Sequence, residues 1–383
     1  MNKSVLADIA PEQFLREHWQ KKPLVVRQAI PGFAGIVDKS ELFALTRLEH
    51  VDARAVVTTA SGAHSVGAVY EVVRRASSKA HASAPSASVL VAGLESLVPG
   101  GWELLAQFGF IPRARVDDLM VSWASEGGGV GPHVDQYDVF LLQGPGRRRW
   151  RLSHPVDVSA LDDDAYEPRS LPLRILRDFP VALDVTLDPG DMLYLPPGVP
   201  HWGTAVDGEC FTYSIGFLAP SHESLVQNYL LYLGQVLDER MPPGLYADPD
   251  LAESNNASTI DRAMIARVGS ILDVVRNEPD DVADFTGRLL TGPKPSTVFA
   301  PPGKRLSRAK LADKPRVTLA LPSRALRVEH GNAARVFVNG DAVEVPTASE
   351  LVTLVDMRAC DMPTDEATLD ILYAWYTSGW VEV

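Results

Sequence analysis

Three side chains in this sequence have the types and spacing to hold a metal ion. His133 and Asp135 stand in Gly131-Pro132-His133-Val134-Asp135, and His201 closes Pro196-Pro197-Gly198-Val199-Pro200-His201. Two imidazoles and one carboxylate can take one face of a metal and leave the opposite face open, the ligand set of non-haem Fe(II) oxygenases. The chemistry this pattern suggests is activation of O2. A lone His-x-Asp is weak, because it recurs by chance, and a single histidine is ordinarily a surface or core residue. The run Gly127-Gly128-Gly129, the Pro-Gly turns and the second histidine favour a metal. Neutral imidazoles and an ionised carboxylate suit Fe(II), although Mn, Co, Ni or Zn could occupy the same set. His18, His50, His64, His81, His154, His222 and His330 lack such surroundings and read as structural or exposed.

The elements that must position these ligands are strands. Residues two apart on a strand share a face, so His133 and Asp135 are expected to project together from one strand. Asp188-Pro189-Gly190-Asp191 supplies a turn, Met192 to Leu195 a strand, and the Pro-Pro-Gly turn then presents His201 on another. Strands are also expected at Leu119 to Ala124, Val139 to Gln143, Arg147 to Ser153 and Phe211 to Phe217. Short strands separated by Gly/Pro turns predict a sandwich or jelly roll, a double-stranded β-helix that brings distant ligands together. Before it, Pro11 to Trp19 and Lys39 to Leu48 read as helices, the second with Leu42, Leu45 and Leu48 on one side. Pro23 to Arg27 reads as a strand, and the Ala/Ser-rich stretch Ser77 to Ser88 as an exposed loop.

Strand alternation also selects an anchor. In Arg147-Arg148-Arg149-Trp150-Arg151-Leu152, Arg148 shares a face with Trp150 and Leu152. That face should point into the barrel and carry a buried guanidinium, whose fork binds a carboxylate in bidentate fashion. The distal carboxylate of 2-oxoglutarate is such a ligand. A basic surface hairpin accounts for the other three arginines but not for Arg148. By the same parity Asp118, Met120, Ser122 and Ala124 alternate with the bulkier Leu119, Val121 and Trp123. Ser122 could donate a hydrogen bond to the cosubstrate and Asp118 could receive a cationic substrate; either could equally be a structural polar group.

The 383 residues are too many for one ordinary core, and an α+β chain of two or three domains is expected. Residues 1–220 form the barrel region. Residues 221–292 change to helical period: Val226, Tyr229, Leu230, Leu233 and Leu237, then Ile260, Met264, Val268, Ile271 and Val275. Such stripes pack within their own chain or between subunits, so a dimer is one reading of this block. Gly292-Pro293-Lys294-Pro295 through Ala300-Pro301-Pro302-Gly303 is a linker by composition. Residues 304–383 read as a winged-helix-like domain: strands at Leu326 to Glu329, Arg335 to Val338 and Ala342 to Val345, an Asn339-Gly340 hairpin turn, two helices and a last strand at Gly379-Trp380-Val381. Ten Lys/Arg against eleven Asp/Glu in that domain, and a net charge of -13 overall, argue against a nucleic-acid reader; the acidity suits a basic protein partner or serves solubility alone, the commoner case. Cys210 and Cys360 fit no metal or disulfide spacing and read as buried thiols of a cytoplasmic protein. Neither a signal peptide nor a membrane span is expected.

Three segments resemble the bacterial JmjC-type ribosomal oxygenases. They are Phe14-Leu15-Arg16-Glu17-His18-Trp19-Gln20-Lys21-Lys22-Pro23-Leu24, then Gly129-Val130-Gly131-Pro132-His133-Val134-Asp135-Gln136-Tyr137-Asp138-Val139-Phe140, and Gln143-Gly144-Pro145-Gly146-Arg147-Arg148-Arg149-Trp150-Arg151. The resemblance spans essentially the whole chain and is loosest at its C-terminal end. It implies a JmjC cupin barrel, a helical dimerisation region and a winged-helix-like domain. It implies an oxygenase that uses Fe(II), 2-oxoglutarate and O2 to hydroxylate an arginine of a large-subunit ribosomal protein, the sixteenth in bacterial numbering. His133, Asp135 and His201 would be the iron ligands, Arg148 the 2-oxoglutarate anchor, and Asp118 and Tyr137 the lining of the substrate site. Related animal enzymes hydroxylate histidine, so a histidine or another residue is the alternative target. Outside the family the alternatives are a non-oxygenase metal cupin and a ligand-sensing cupin joined to a DNA reader.

Overall fold

A computed structural model describes residues 4–58, 64–67, 86–166, 174–241, 243–249, 251, 258–275 and 278–383. Eleven strands lie in its N-terminal part: β1 (Leu24–Val26), β2 (Ala53–Thr58), β3 (His64–Gly67), β4 (Ser86–Val91), β5 (Val116–Ala124), β6 (Asp138–Gln143), β7 (Arg148–Leu152), β8 (Leu183–Leu187), β9 (Met192–Leu195), β10 (His201–Ala205) and β11 (Cys210–Phe217). They form an eight-stranded sheet in the order β1-β9-β6-β11-β5-β4-β2-β3 and a three-stranded sheet in the order β10-β7-β8. Every pairing among them is antiparallel. The result is the jelly roll expected from the short strands and Gly/Pro turns.

Strands β6, β9 and β11 of the large sheet are buried on both faces. Leu119, Val121, Trp123, Phe140, Leu142, Tyr194, Tyr213 and Ile215 point one way and pack on Phe14, Leu42, Leu104 and Phe108 from the flanking helices Pro11–Glu17, Lys39–Leu45 and Gly100–Ala106 and the turn after the last. Val139, Leu141, Leu193 and Leu195 point the other way and meet Trp150, Leu152 and Leu187 of the small sheet. Each such side chain taken from water contributes about 1.5–3 kcal/mol, so the second layer holds the small sheet against the large one.

Several local expectations change. Ser86–Ser88 is not loop but the start of β4, paired with Thr58, Val57 and Val56. Its Ser and Ala side chains hide the strand, because they carry no apolar alternation. Residues 77–85 of the expected loop lie outside the described residues. The helix from Lys39 ends at Leu45, and Leu48 is exposed. β2 and β3 extend the large sheet beyond what the pattern predicted.

The chain forms two compact units, residues 1–219 with 293–323 and 362–383, and residues 220–292 with 324–361. In the second, helices His222–Arg240, Arg262–Leu272 and Pro279–Thr291 accompany a three-stranded sheet, β13 (Ala325–His330), β14 (Ala333–Val338) and β15 (Asp341–Pro346), which follow β12 (Arg316–Leu319) of the first. Asn339 and Gly340 both take positive φ, as the predicted hairpin turn requires. The expected last strand is Val381–Glu382 and pairs with β12 in the first unit. Of the second helical stripe, Ile260, Met264, Val268, Ile271 and Val275 are all exposed. Cys210 and Cys360 are buried and form no disulfide. Among the described residues no helix is long and apolar enough to cross a membrane.

Candidate metal centre and substrate cavity

His133, Asp135 and His201 converge, and they form the only grouping of three or more potential metal ligands among the described residues. Their ligand atoms all lie within 4.8 Å of one another. His201 Nε2 is 3.5 Å and His133 Nε2 3.9 Å from Asp135 Oδ2. The route to this convergence differs from the expected one. His133 and Asp135 lie in the loop between β5 and β6, not on a common strand. His133 is tied to the first residue of β10 by a single bridge, His133 N–H to the His201 carbonyl at 3.0 Å and His201 N–H to the His133 carbonyl at 2.8 Å. Gly198 N–H donates to the Asp135 carbonyl at 2.9 Å. Gly198 has φ +80°, and a Cβ there would stand 2.7 Å from the Val156 carbonyl, so only glycine makes this turn without strain. The Pro-Pro-Gly turn thus carries His201 and also pins the loop that holds Asp135.

The imidazoles are oriented by carbonyls. His133 Nδ1 lies 3.0 Å from the Gly131 carbonyl and His201 Nδ1 2.9 Å from the Val199 carbonyl. A carbonyl only accepts, so Nδ1 carries the proton in each ring and Nε2 keeps its lone pair. Burial, and secondarily the neighbouring His133, hold His201 down to about 4. The ring is therefore neutral at ordinary pH, the form that can bind a metal.

Arg148 is buried on the inner face of β7 with Trp150 and Leu152, while Arg149 on the opposite face pairs with Asp184. Its Nη1 donates to Ser122 Oγ at 3.3 Å, and its Nε and Nη2 have no protein partner. Ser122 in turn reaches the Thr212 carbonyl at 3.5 Å, so its hydroxyl orients the guanidinium. Arg148 lies 5.7 Å from the Trp150 ring centre, and Trp150 5.9 Å from the His201 ring. A buried cation with two nitrogens aimed at no protein acceptor has the chemistry to receive a carboxylate.

Asp118 and Tyr137 line one cavity of about 250 Å³ together with Met120, Val139 and Gly216. Asp118 accepts from Gly93 N–H at 3.2 Å. Desolvation, then the carboxylates of Asp135, Asp118 and Asp117, raise the Tyr137 phenol above its ordinary range, and its hydroxyl bonds to Asp135. Asp117 lines the same cavity, which strict alternation forbids. The cause is a bulge: Gly216 pairs with Asp118 but Phe217 with Val116, leaving Asp117 as the extra residue, and bulges re-aim side chains.

Sequence reasoning missed Asp138. It is fully buried, and it receives hydrogen bonds from Tyr194 Oη at 2.6 Å and Gln20 Nε2 at 2.9 Å, with Arg115 at 3.6 Å. Burial raises its pKa in spite of these partners. It fixes the end of the metal-ligand loop; its only signal in sequence is an acid opening an otherwise apolar strand. Lys294 and Asp52, also in the cavity wall, were hidden by distance along the chain.

Comparison with known proteins agrees with this geometry. Residues 103–225 match the JmjC domain model and residues 274–382 the ROXA-like winged helix model. The chain is 30% identical to the ribosomal protein uL16 3-hydroxylase of Escherichia coli over 96% of each chain. It is similar to the X-ray structure of E. coli ycfD, with a TM-score of 0.80, 28% identity and 98% of each chain covered. It is also similar to that ribosomal oxygenase in complex with cobalt and 2-oxoglutarate, with a TM-score of 0.78, 27% identity and the same coverage.

Proposed function

We propose a function from one premise: this chain belongs to the JmjC-type ribosomal oxygenases, 2-oxoglutarate-dependent dioxygenases that act on ribosomal proteins. The target we assign is an arginine side chain of the large-subunit ribosomal protein uL16. The observation that carries this reading is one set of neighbours: a His-Asp-His cluster, a buried Arg148 with two N–H groups lacking a protein acceptor, and a cavity containing Asp118. The relative named above is a uL16 hydroxylase, which supports the same substrate.

The residues fit the groups the family requires. His133, Asp135 and His201 would hold Fe(II), and Arg148, set by Ser122, would hold the distal carboxylate of 2-oxoglutarate. Bound there, the iron supplies O2 activation at the expense of cosubstrate decarboxylation, and so oxidation of an unactivated C–H bond. The chain supplies position. Asp118 pairs with the target guanidinium, Tyr137 packs on it or hydrogen-bonds to it, and the cavity fixes which carbon faces the metal. Tyr137 does so as a neutral phenol, because burial first and the surrounding carboxylates second raise its pKa.

Three further assignments follow from this reading. The catalytic barrel occupies residues 1–220, a dimerising helical region 221–292, and a winged-helix domain 304–383 that makes no direct nucleic-acid contact. The homodimer rests on apolar side chains exposed on two helices, among them Leu230, Leu231, Ile265, Val268 and Leu272. Sedimentation of Ile265→Glu should give a monomer where the parent gives a dimer. A ribosomal substrate places the enzyme in the cytoplasm.

The deciding experiment incubates the protein with Fe(II), 2-oxoglutarate and uL16, followed by mass spectrometry. One added oxygen atom on one arginine, with succinate released, is expected. Oxygen on a histidine would move the assignment to the other known target of the family, and no Fe(II)-dependent succinate would reject an oxygenase.

A further inference from the structure

Lys294 stands in a segment that reads as a linker, yet it forms part of the cavity wall. Thr297 N–H donates to the Lys294 carbonyl at 2.8 Å, closing a turn with Pro295 in second position. Proline's fixed φ suits that position, and Pro293 precedes the lysine, so the side chain rises from a stiff base. Ser296 of the same turn also lines the cavity. Lys294 Nζ lies 2.8 Å from Asp117 Oδ1, with the two side chains 42% and 35% exposed.

An ion pair this exposed adds little to stability, typically about 0–1 kcal/mol, so its consequence lies in the field inside the cavity. The ionic lining is Asp52, Asp117 and Asp118 against Arg54 and Lys294. Three carboxylates and two cations leave one negative charge. One guanidinium cancels that charge.

We propose that Lys294 is a specificity-determining residue: by pairing with the bulged Asp117 it sets the cavity at a net charge of minus one, matched to a single guanidinium. The proposal rests on the reading of this cavity as the arginine site. Asp117 and Lys294 form a neutral unit, and Asp118 acts as the carboxylate that the substrate meets. Removing the lysine makes the cavity over-attractive to any cation. Removing Asp117 leaves a cation standing in a cationic substrate's path.

Binding of the tripeptide acetyl-Gly-Arg-Gly-amide to the full chain, measured by calorimetry, tests this, with the citrulline tripeptide as the uncharged control. Lys294→Met should tighten arginine-peptide binding about tenfold and Asp117→Asn should weaken it about tenfold, the order expected when one unit charge is removed from a partly solvated cavity. The double variant, whose charge is again minus one, should bind within about twofold of the parent. The citrulline peptide should respond to none of the three. If Lys294→Met weakens arginine-peptide binding, or leaves it unchanged while the parent still prefers arginine to citrulline, the charge-setting role is wrong and the arginine site stands. A parent protein that does not prefer arginine to citrulline overturns both.

Discussion

Arg148→Met tests the cosubstrate anchor most directly, because the structure predicts opposite sizes for its two consequences. Methionine fills the space beside Trp150 without a charge. The bound cosubstrate loses a bidentate, charge-assisted contact; at about 1.5–3 kcal/mol for each hydrogen bond to a charged group, the loss is about 3–6 kcal/mol. At about 1.4 kcal/mol per factor of ten, the Kd for 2-oxoglutarate should rise by two to four orders of magnitude. The free protein loses only the 3.3 Å bond to Ser122 and a ring contact at 5.7 Å, so its unfolding free energy should fall by no more than about 1 kcal/mol. A guanidinium locked into protein partners would instead cost about 3–5 kcal/mol on removal. Calorimetric titration of the metal-loaded protein with 2-oxoglutarate reads the first quantity, and urea unfolding of the free protein the second. The parent should also gain about 2.7 kcal/mol from cosubstrate at one hundred times its Kd, a gain the variant lacks at the same concentration. A Kd change below tenfold, or a free variant crippled in stability, would show that Arg148 is a structural cation and refute the anchor.

Asp118→Ala should cut turnover of an arginine peptide far more than uncoupled 2-oxoglutarate decay; equal loss of both, measured as hydroxylated peptide against succinate, would remove its substrate role. Acidification should weaken the metal-free fold. The folded pKa of His201 is about 4 against an ordinary 6.5, so between those values the unfolded chain binds the extra proton and stability drops as pH falls, by at most about 3 kcal/mol at 1.36 kcal/mol per unit. Urea midpoints at pH 7 and 4.5 measure this, and a His201→Gln variant that keeps the full slope would assign it elsewhere. Gly203→Ala puts a Cβ 2.7 Å from the Trp150 ring, which touches the surroundings of both His201 and Arg148. Overpacking of about 1–3 kcal/mol should appear with weaker metal and 2-oxoglutarate binding together; a variant indistinguishable from the parent in all three would mean that Trp150 does not couple the two sites.

The residues legible in the sequence are those whose position follows from local rules. Arg148 was found by alternation alone, since β7 is a regular strand and period two assigns its face. His201 was found because Pro-Pro-Gly can only turn. The strand placement of His133 and Asp135 failed for a reason of the same kind: a strand segment would need ladder partners along its length, and only His133 has one. What tethers the loop is a turn more than sixty residues later, through Gly198, and no local pattern encodes that bond. β4 was hidden because Ser86 to Ser88 carry no apolar alternation, although pairing buries Ser88 completely enough for a core position.

The cavity shows where local rules stop. Alternation correctly put Asp118 inside and, applied strictly, would put Asp117 outside. The bulge opposite Gly216 and Phe217 cancels the alternation for one residue, and it is visible only in the register between β5 and β11. Once Asp117 turns inward, two adjacent carboxylates share a small space and repel each other unless a cation stands beside them. Lys294 supplies it from a proline turn far along the chain. The bulge and the lysine are matched: the bulge turns Asp117 into the cavity, and Lys294 pairs with it there. A variant that restores regular pairing by deleting Asp117 should accordingly weaken arginine-peptide binding about tenfold, and adding Lys294→Met to the deletion should return it to within about twofold of the parent.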